Sequence, residues 1–182
     1  MILKLNKKQT SVAKNVALIG IMAATLECGK LALSFLPNIE VVTLLSAIYG
    51  YVFGIYGVIA TLIFVCIEPM IYGIGSWIVT YFIYWPLVAF IFMILRKKDV
   101  KNRAVISLAA IGLTVFFGVL SSIVDVAFLM GINKYYFTNV LIYYLRGILF
   151  YSLQIACNAV LFPTLFSFLS KKIEKIYHQR KN

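Results

Sequence analysis

The sequence predicts an all-α integral membrane protein, a bundle of six transmembrane helices with both termini in the cytoplasm. Three observations support this fold class. Of the 182 residues, 63% are hydrophobic and only 13% are charged, whereas soluble domains average about 45–50% apolar and about 25% charged residues. Apolar runs long enough to cross a bilayer alternate with short polar turns. Most lysines and arginines lie in short runs between these apolar segments, which is typical of topology signals.

This composition excludes several classes of protein. A globule of this length has too little interior to bury so much apolar surface, and a disordered chain would contain far less of it. The net charge of +11 would favour nucleic-acid binding in a soluble protein. Here the basic residues lie where they orient the chain and contact anionic lipid. We therefore expect one membrane domain over residues 1–182, with no soluble catalytic or nucleotide-binding domain.

Turn residues set the limits of the helices. Pro37-Asn38 ends the first apolar run, and glycines near 54–57 divide an uncharged stretch that is too long for one ordinary crossing. Glu68-Pro69 is expected to end the third helix, and residues 70–77 to form a loop. The sixth helix is expected to bend at Pro163. The predicted helices are residues 14–36, 41–54, 57–67, 78–95, 104–130 and 139–170.

The basic residues predict the orientation. Six crossings place both ends of the chain, the turn at 54–57 and the loop at 96–103 on one side, together with a basic, solvated tail at 171–182. That side holds 14 of the 17 lysines and arginines, and Lys134 lies in a loop on the other side. The positive-inside rule makes the basic side cytoplasmic. A count of five helices would separate the 96–103 loop from the tail, so six is favoured.

Four ionisable residues lie within the predicted spans: Glu27, Lys30, Asp125 and Arg146. Each costs roughly 2.5–3.5 kcal/mol near the bilayer centre, so each must pair, line a wet cavity or lie near the interface. All four fall in the outer half of the predicted bundle, which indicates a polar cavity open to the outside. Two further carboxylates border the same side, Glu40 and Glu68.

Two structural alternatives stand beside that cavity. Glu27 and Lys30 are three residues apart and would be neighbours on a helix, where they could pair with each other. Asp125 and Arg146 could form an ion pair between the fifth and sixth helices. Either pairing would give these charges a structural role without a ligand.

Aromatic residues gather at the same level of the bundle. They form either an interfacial belt or a ring-stacking pocket for a flat organic ligand. Tyr81 and Trp85, inside the fourth helix, are the better pocket candidates. Gln154 and Asn158 on the sixth helix could donate hydrogen bonds to a ligand or join neighbouring helices. The aromatic residues are Tyr72, Trp77, Tyr81, Tyr84, Trp85, Tyr135, Tyr136, Tyr143 and Tyr144.

Small residues recur along one face of the first helix. Such a face lets another helix approach closely. It would either pack inside this bundle or dock a separate membrane subunit. The residues are Ala13, Ala17, Gly20 and Ala24.

Catalytic and metal-binding constellations are missing from the sequence. One histidine, His178, and three cysteines within apolar runs give no support for a zinc, haem or iron–sulfur site. There is no Gly-rich phosphate loop, so the chain is not expected to hydrolyse ATP or to act as an enzyme. Active transport would need energy from a partner or an ion gradient.

The chain resembles the substrate-binding S components of energy-coupling factor transporters. Its size, its six predicted helices, its basic ends and its small-residue face are similar to theirs. Leu36-Pro37-Asn38-Ile39-Glu40 resembles their loop 1, and Tyr49-Gly50-Tyr51-Val52-Phe53-Gly54 resembles their glycine-bearing junction of helices 2 and 3. Glu68-Pro69-Met70-Ile71-Tyr72-Gly73-Ile74-Gly75 resembles their loop 3.

The resemblance implies a function. An S component captures a vitamin or related micronutrient at the extracellular face of a prokaryotic plasma membrane. It then docks through its first helix on a membrane T component, which two cytoplasmic ATPases drive. Loop 1 favours a corrinoid such as cobalamin, followed by riboflavin or another heterocyclic vitamin. The histidine that nickel and cobalt S components use is absent, which argues against a bare metal ion as substrate.

The resemblance also implies the site. The ligand would contact loops 1, 3 and 5 and the outer parts of helices 4 to 6, and the small-residue face would dock the T component. Two other functions stay open: a small ion-coupled transporter that uses Glu27 or Asp125 as its proton site, and a membrane scaffold that transports nothing. The expected binding residues are Glu27, Lys30, Glu40, Glu68, Tyr72, Trp77, Tyr81, Trp85, Asp125, Tyr143, Arg146, Gln154 and Asn158.

Overall fold

A computed structural model describes residues 7–36 and 39–179 of the chain. These residues form helices and connecting turns, with no strand among them. A π-helical segment, Phe162–Phe166, joins the last two α-helices. The α-helices are α1 (Lys7–Ala32), α2 (Val42–Phe53), α3 (Ile55–Tyr72), α4 (Trp77–Lys97), α5 (Arg103–Met130), α6 (Tyr136–Arg146), α7 (Ile148–Leu161) and α8 (Ser167–Gln179).

The helices have the length and composition expected of a membrane protein. Within the described residues, five helical segments are long and apolar enough to cross a bilayer: Val12–Ala32, Ile55–Tyr72, Trp77–Lys97, Arg103–Met130 and Ile148–Tyr177. The remaining apolar helix, α2, has 12 residues and is about 18 Å long, shorter than the roughly 30 Å hydrocarbon core. The all-helical, apolar character that the sequence predicted is therefore present.

The short helix α2 lies at the centre of the fold. Nine of its twelve residues are buried, and it packs against both α3 and α4. The contact with α4 is close because Gly50 has no side chain: a Cβ there would lie 1.9 Å from the carbonyl oxygen of Ala89. Gly57 of α3 approaches the backbone of Tyr49 in the same way. Backbone-to-backbone packing therefore fixes α2, α3 and α4 relative to one another.

The predicted break near 54–57 occurs at Gly54. This residue has φ 60° and ψ −125°, a conformation that glycine adopts without steric cost. Its amide donates to the carbonyl of Gly50 at 3.0 Å, which closes the last turn of α2. α3 then begins at once with Ile55, so the reversal of the chain needs a single residue.

The expected end of the third helix at Glu68-Pro69 is wrong. α3 continues through Pro69 to Tyr72, and Gly73, with φ 80°, ends it. The carbonyl of Pro69 accepts a hydrogen bond from the amide of Gly73 at 3.0 Å. Because Glu68 and Tyr72 are four residues apart on one helix, they share a face. The loop is correspondingly shorter, residues 73–76 rather than 70–77.

The expected continuous helix at 139–170 is also wrong. It is divided at Gly147, where α6 ends and α7 begins, and again by the π-helical segment that contains Pro163. Pro163 has no amide hydrogen to donate. The π-helical segment, whose hydrogen bonds span more residues than those of an α-helix, therefore lies where a bend was expected. The predicted solvated tail is helical as far as Gln179.

Contacts between helices identify the end of the bundle where basic residues gather. At this end the phenol of Tyr51 donates to the carbonyl of Val100 at 3.0 Å, and Asn15 donates to the hydroxyl of Tyr56 at 3.0 Å. We call this the basic end, because it holds the 98–102 loop and the lysines of α8. Successive helices α1 to α5 run alternately away from and towards it. The turn Pro37-Asn38 and the residues Lys4, Arg180 and Lys181 lie outside the described residues.

Replacing Gly50 by alanine is expected to destabilise the protein by at least about 1–3 kcal/mol. The added Cβ would meet backbone atoms of Ala89, which cannot move aside as a flexible side chain can. Gly112→Ala is the matched control, because a Cβ on this α5 residue meets nothing within 4 Å. Thermal unfolding of both variants in detergent measures the difference. Equal midpoints would contradict the close packing of α2 on α4.

Candidate functional site

A buried ion pair joins α1 to α3 at the end of the bundle opposite the basic end. The ammonium of Lys30 contacts the carboxylate of Glu68, whose side chain is fully buried, whereas that of Lys30 is 26% exposed. The pairing of Lys30 with Glu27, which the sequence left open, does not occur: Lys30 reaches across to α3 instead. We call Glu27, Lys30 and Glu68 the charged cluster.

Glu27 is the unbalanced member of the charged cluster. It is 9% exposed, and among the described residues no cation pairs with it; its polar neighbours are the carboxyl group of Glu68 and the hydroxyl of Tyr72. Two carboxylates therefore lie close to a single lysine in a largely buried position, where an uncompensated charge is costly. The arrangement is incomplete as a purely structural ion pair and leaves room for one further positive charge or a proton.

Two tyrosines flank the ammonium of Lys30. Its nitrogen lies 4.0 Å from the ring centroid of Tyr72 and 5.3 Å from that of Tyr81, both within the range of cation–π attraction. Tyr72 takes this position because α3 extends one turn beyond Glu68. The ring of Tyr72 is 44% exposed, so the charged cluster borders the protein surface on this side.

An aromatic series continues from Tyr81 into the core. Tyr81 makes edge contacts with Trp77 at 5.1 Å and with Trp85 at 5.6 Å between ring centroids. Trp85 is 4% exposed, and its indole nitrogen has no acceptor within the described part of the chain. The structure thus brings together four of the aromatic residues expected at the site. Phe64 and Phe117 join the same series, although as plain apolar residues they gave no signal in the sequence.

A second polar network lies around Glu40. Its carboxylate accepts from the amide and the hydroxyl of Thr43, at 2.8 and 2.6 Å, and so holds the first turn of α2. Asn158 of α7 donates to Glu40 at 3.3 Å and to the hydroxyl of Thr114 at 3.0 Å. Asn158 is fully buried. These bonds join α2, α5 and α7, which favours the helix-joining role left open for Asn158.

Asp125 connects the 73–76 loop to α5. It accepts from the hydroxyl of Ser76 at 2.5 Å and from that of Ser121 at 3.4 Å. The alternative ion pair with Arg146 does not form, because Arg146 is exposed at the end of α6. In the described structure, no hydrogen bond or ion pair is made by the side chains of Tyr143, Arg146 and Gln154. The sequence analysis did not identify Ser76 and Ser121 as the partners of Asp125. Their only signal in the sequence is that they are polar residues among apolar ones.

The small-residue face of α1 points away from the bundle. Ala13, Ala17, Gly20 and Ala24 are all exposed, and a Cβ on Gly20 would meet nothing within 4 Å. The opposite face of α1 supplies Met22, Ala23 and Leu26 to the core. The alternative that the small residues serve packing within this chain is therefore wrong. They leave a shallow surface along α1 that another helix could approach.

The arrangement places charged and aromatic groups together at one end of the bundle. Within residues 7–36 and 39–179, no group of three or more His, Cys, Asp or Glu residues is placed to hold a metal ion. The charged cluster supplies charge and aromatic surface. No known family, curated protein or solved structure matches the chain. Function is therefore inferred from this geometry.

Removing the ammonium of Lys30 is expected to destabilise the fold. Lys30→Met would leave the buried Glu68 without its cation, at a cost of up to about 3 kcal/mol. The double variant Lys30→Met/Glu68→Gln should recover part of that loss, because Glu68 is then neutral and Glu27 is the one carboxylate of the cluster left without a cation. Lys134→Met, in an exposed turn, is the control. Unfolding midpoints in detergent report all three, and a double variant no more stable than Lys30→Met would refute the pairing.

Proposed function

We propose that this protein is the solute-capturing subunit of a membrane importer, of the S-component type. The charged cluster, with its aromatic flank, would bind a vitamin or related small organic ligand. The single observation that carries the proposal is Glu27: a carboxylate that is nine-tenths buried, has no cation of its own among the described residues, and lies beside an ion pair that already uses the nearby cation. Folding alone gives no reason to keep such a group, whereas a ligand that completes the cluster does.

The composition of the cluster indicates the chemistry of the ligand. Two carboxylates and one ammonium leave one negative charge to balance, so a positively charged group on the ligand would complete the set. Tyr72 and Tyr81 already hold one cation against their faces and, with Trp77, offer surface for a ring. A ring-bearing organic cation fits best. The corrinoid stays a prediction, because Pro37 and Asn38 of loop 1 lie outside the described residues.

The proposal includes six crossings, with α2 as the short central one. The nine buried residues of α2 favour this, because a helix that is enclosed by protein need not match the thickness of the bilayer. The basic end would face the cytoplasm of a prokaryotic cell, by the positive-inside rule. The exposed face of α1 would dock a T component, and two cytoplasmic ATPases would supply the energy.

Ligand binding is tested by thermal unfolding of the purified protein against water-soluble vitamins grouped by charge. Thiamine and pyridoxamine carry positive charge, riboflavin and cyanocobalamin are neutral, and biotin and nicotinate are anionic. A specific ligand at 100 times its Kd should stabilise the fold by about 2.7 kcal/mol. Glu27→Gln should weaken a cationic ligand at least about tenfold, whereas Glu174→Gln, at the basic end, should leave it unchanged. A panel without a binder would refute solute capture.

Docking through α1 is tested by separating uptake from binding. Ala17→Leu/Gly20→Leu should abolish vitamin uptake by intact cells, because the added side chains hold a partner helix away. Ligand binding to the purified variant should be unchanged, since Gly20 lies two turns, about 10 Å, along α1 from Glu27 and Ala17 lies further still. Leu108→Trp, on an exposed position of α5, is the control and should keep both activities. Normal uptake by the α1 variant would exclude this face as the docking site.

An ion-coupled transporter is the second candidate, favoured by the same unbalanced carboxylate. A proton on Glu27 would balance the cluster as well as a cationic ligand would. Asp125 is less suited to this role, because two serine hydroxyls already donate to it. Uptake by reconstituted vesicles without ATPases, driven by a proton gradient and lost in Glu27→Gln, would establish this alternative over the S-component proposal.

A further inference from the structure

A cavity lies at the basic end, far from the charged cluster. Its volume is about 300 Å³, the lower end of the range for small-molecule sites. It is enclosed by the ends of α2 and α4, the 98–102 loop, the first turn of α5 and the first half of α8. Its lining residues are Tyr51, Arg96, Lys101, Ile106, Phe166, Ser167, Ser170, Lys171 and Glu174.

Positive charge predominates around this cavity. Among the described residues that line it, three are cationic and one, Glu174, is acidic. Arg96 pairs with Glu174 and lies over the ring of Tyr51, 5.1 Å from its centroid. Lys101 pairs only with Asp99, and both side chains are about two-thirds exposed or more, so that pair is weak. Lys171 adds a third cation from α8.

The cavity also has hydroxyl groups and an apolar surface that suit a phosphate ester. The hydroxyl-bearing residues Ser167 and Ser170 line the cavity with the cationic groups. Ser170 is 5% exposed, and its hydroxyl donates to the carbonyl of Ser167 at 3.4 Å, a long bond that a phosphate oxygen could replace. Phe166 and Ile106 form an apolar floor. Tyr51 is already engaged with Val100 and so fixes the 98–102 loop as one wall. Converging cations and hydroxyls over an apolar floor match a phosphate attached to an apolar body.

The position along the helices indicates which phosphate ester. Arg96 lies in the last turn of one membrane-length helix, and Ile106 in the first turn of the next. A cavity between these turns lies at the level of the membrane surface, where basic pockets bind lipid headgroups. We propose that it binds the phosphate of an anionic phospholipid, with the glycerol against Phe166 and Ile106. A bound headgroup would link α8 to the α4–α5 loop.

The proposal makes opposite predictions for two neighbouring residues of α8. Lys171→Ala should weaken binding of phosphatidylglycerol about fivefold, the contribution of one basic residue near an anionic surface. Glu174→Gln should strengthen it, because the carboxylate competes with the phosphate for Arg96. Lys172→Ala is the matched control: Lys172 has the same charge, on the same helix, but does not line the cavity.

The measurement is lipid retention by native mass spectrometry of the detergent-purified protein, with phosphatidylglycerol, phosphatidylcholine and inorganic phosphate as separate probes. We expect phosphatidylglycerol to be retained over phosphatidylcholine, with the order Glu174→Gln, unmodified protein, Lys171→Ala. Equal losses in Lys171→Ala and Lys172→Ala would overturn the site in favour of general surface charge. Protection from unfolding by millimolar phosphate equal to that by the lipid would overturn the lipid assignment. Unfolding midpoints without lipid verify that each variant is folded.

Discussion

The bundle depends on a simple electrostatic constraint: a charged side chain between apolar helices is costly unless an opposite charge, a hydrogen bond or a bound ligand compensates it. Lys30 meets this constraint by crossing from α1 to Glu68 of α3, and this contact secures the end of α1. α1 packs chiefly on α3 and α2, and Lys30 also lies by the ring of Tyr81 on α4, so these contacts together leave the small-residue side of α1 exposed. The small-residue face and two members of the charged cluster thus share one helix.

The close packing of α2 sets the positions of the remaining helices. Gly50 and Gly57 let backbones meet where any side chain would intervene, so α2, α3 and α4 form a compact group. In contrast, α6, which the structure describes in full, has no buried residue. It packs chiefly on α5 and presents its apolar side chains outward. The protein therefore has a closely packed half that carries the charged cluster and a half that is less enclosed.

The sequence predicted the helical class, the apolar spans and the break at Gly54, because hydropathy and glycine act locally. It also identified every member of the charged cluster, since ionisable residues in apolar runs are conspicuous. It did not predict their pairing. Pro69 was expected to end α3, and only the extra turn places Tyr72 beside Lys30. Likewise, Asp125 accepts hydrogen bonds from serine hydroxyls and does not pair with Arg146. Arg146 is exposed at the end of α6, and the sequence did not predict that α6 ends there, at Gly147.

The two ends of the bundle contain the same arrangement of side chains but carry opposite excess charge. In each, a cation lies over a tyrosine ring and pairs with a glutamate: Lys30 with Tyr72 and Glu68, and Arg96 with Tyr51 and Glu174. An aromatic face replaces water around the cation without competing for its counterion. One end then has a surplus carboxylate, and the other has surplus lysines. Because each ion pair is electrically balanced, the surplus groups are what both proposals depend on: a carboxylate that would attract a cation at one end, and lysines that would attract a phosphate at the other.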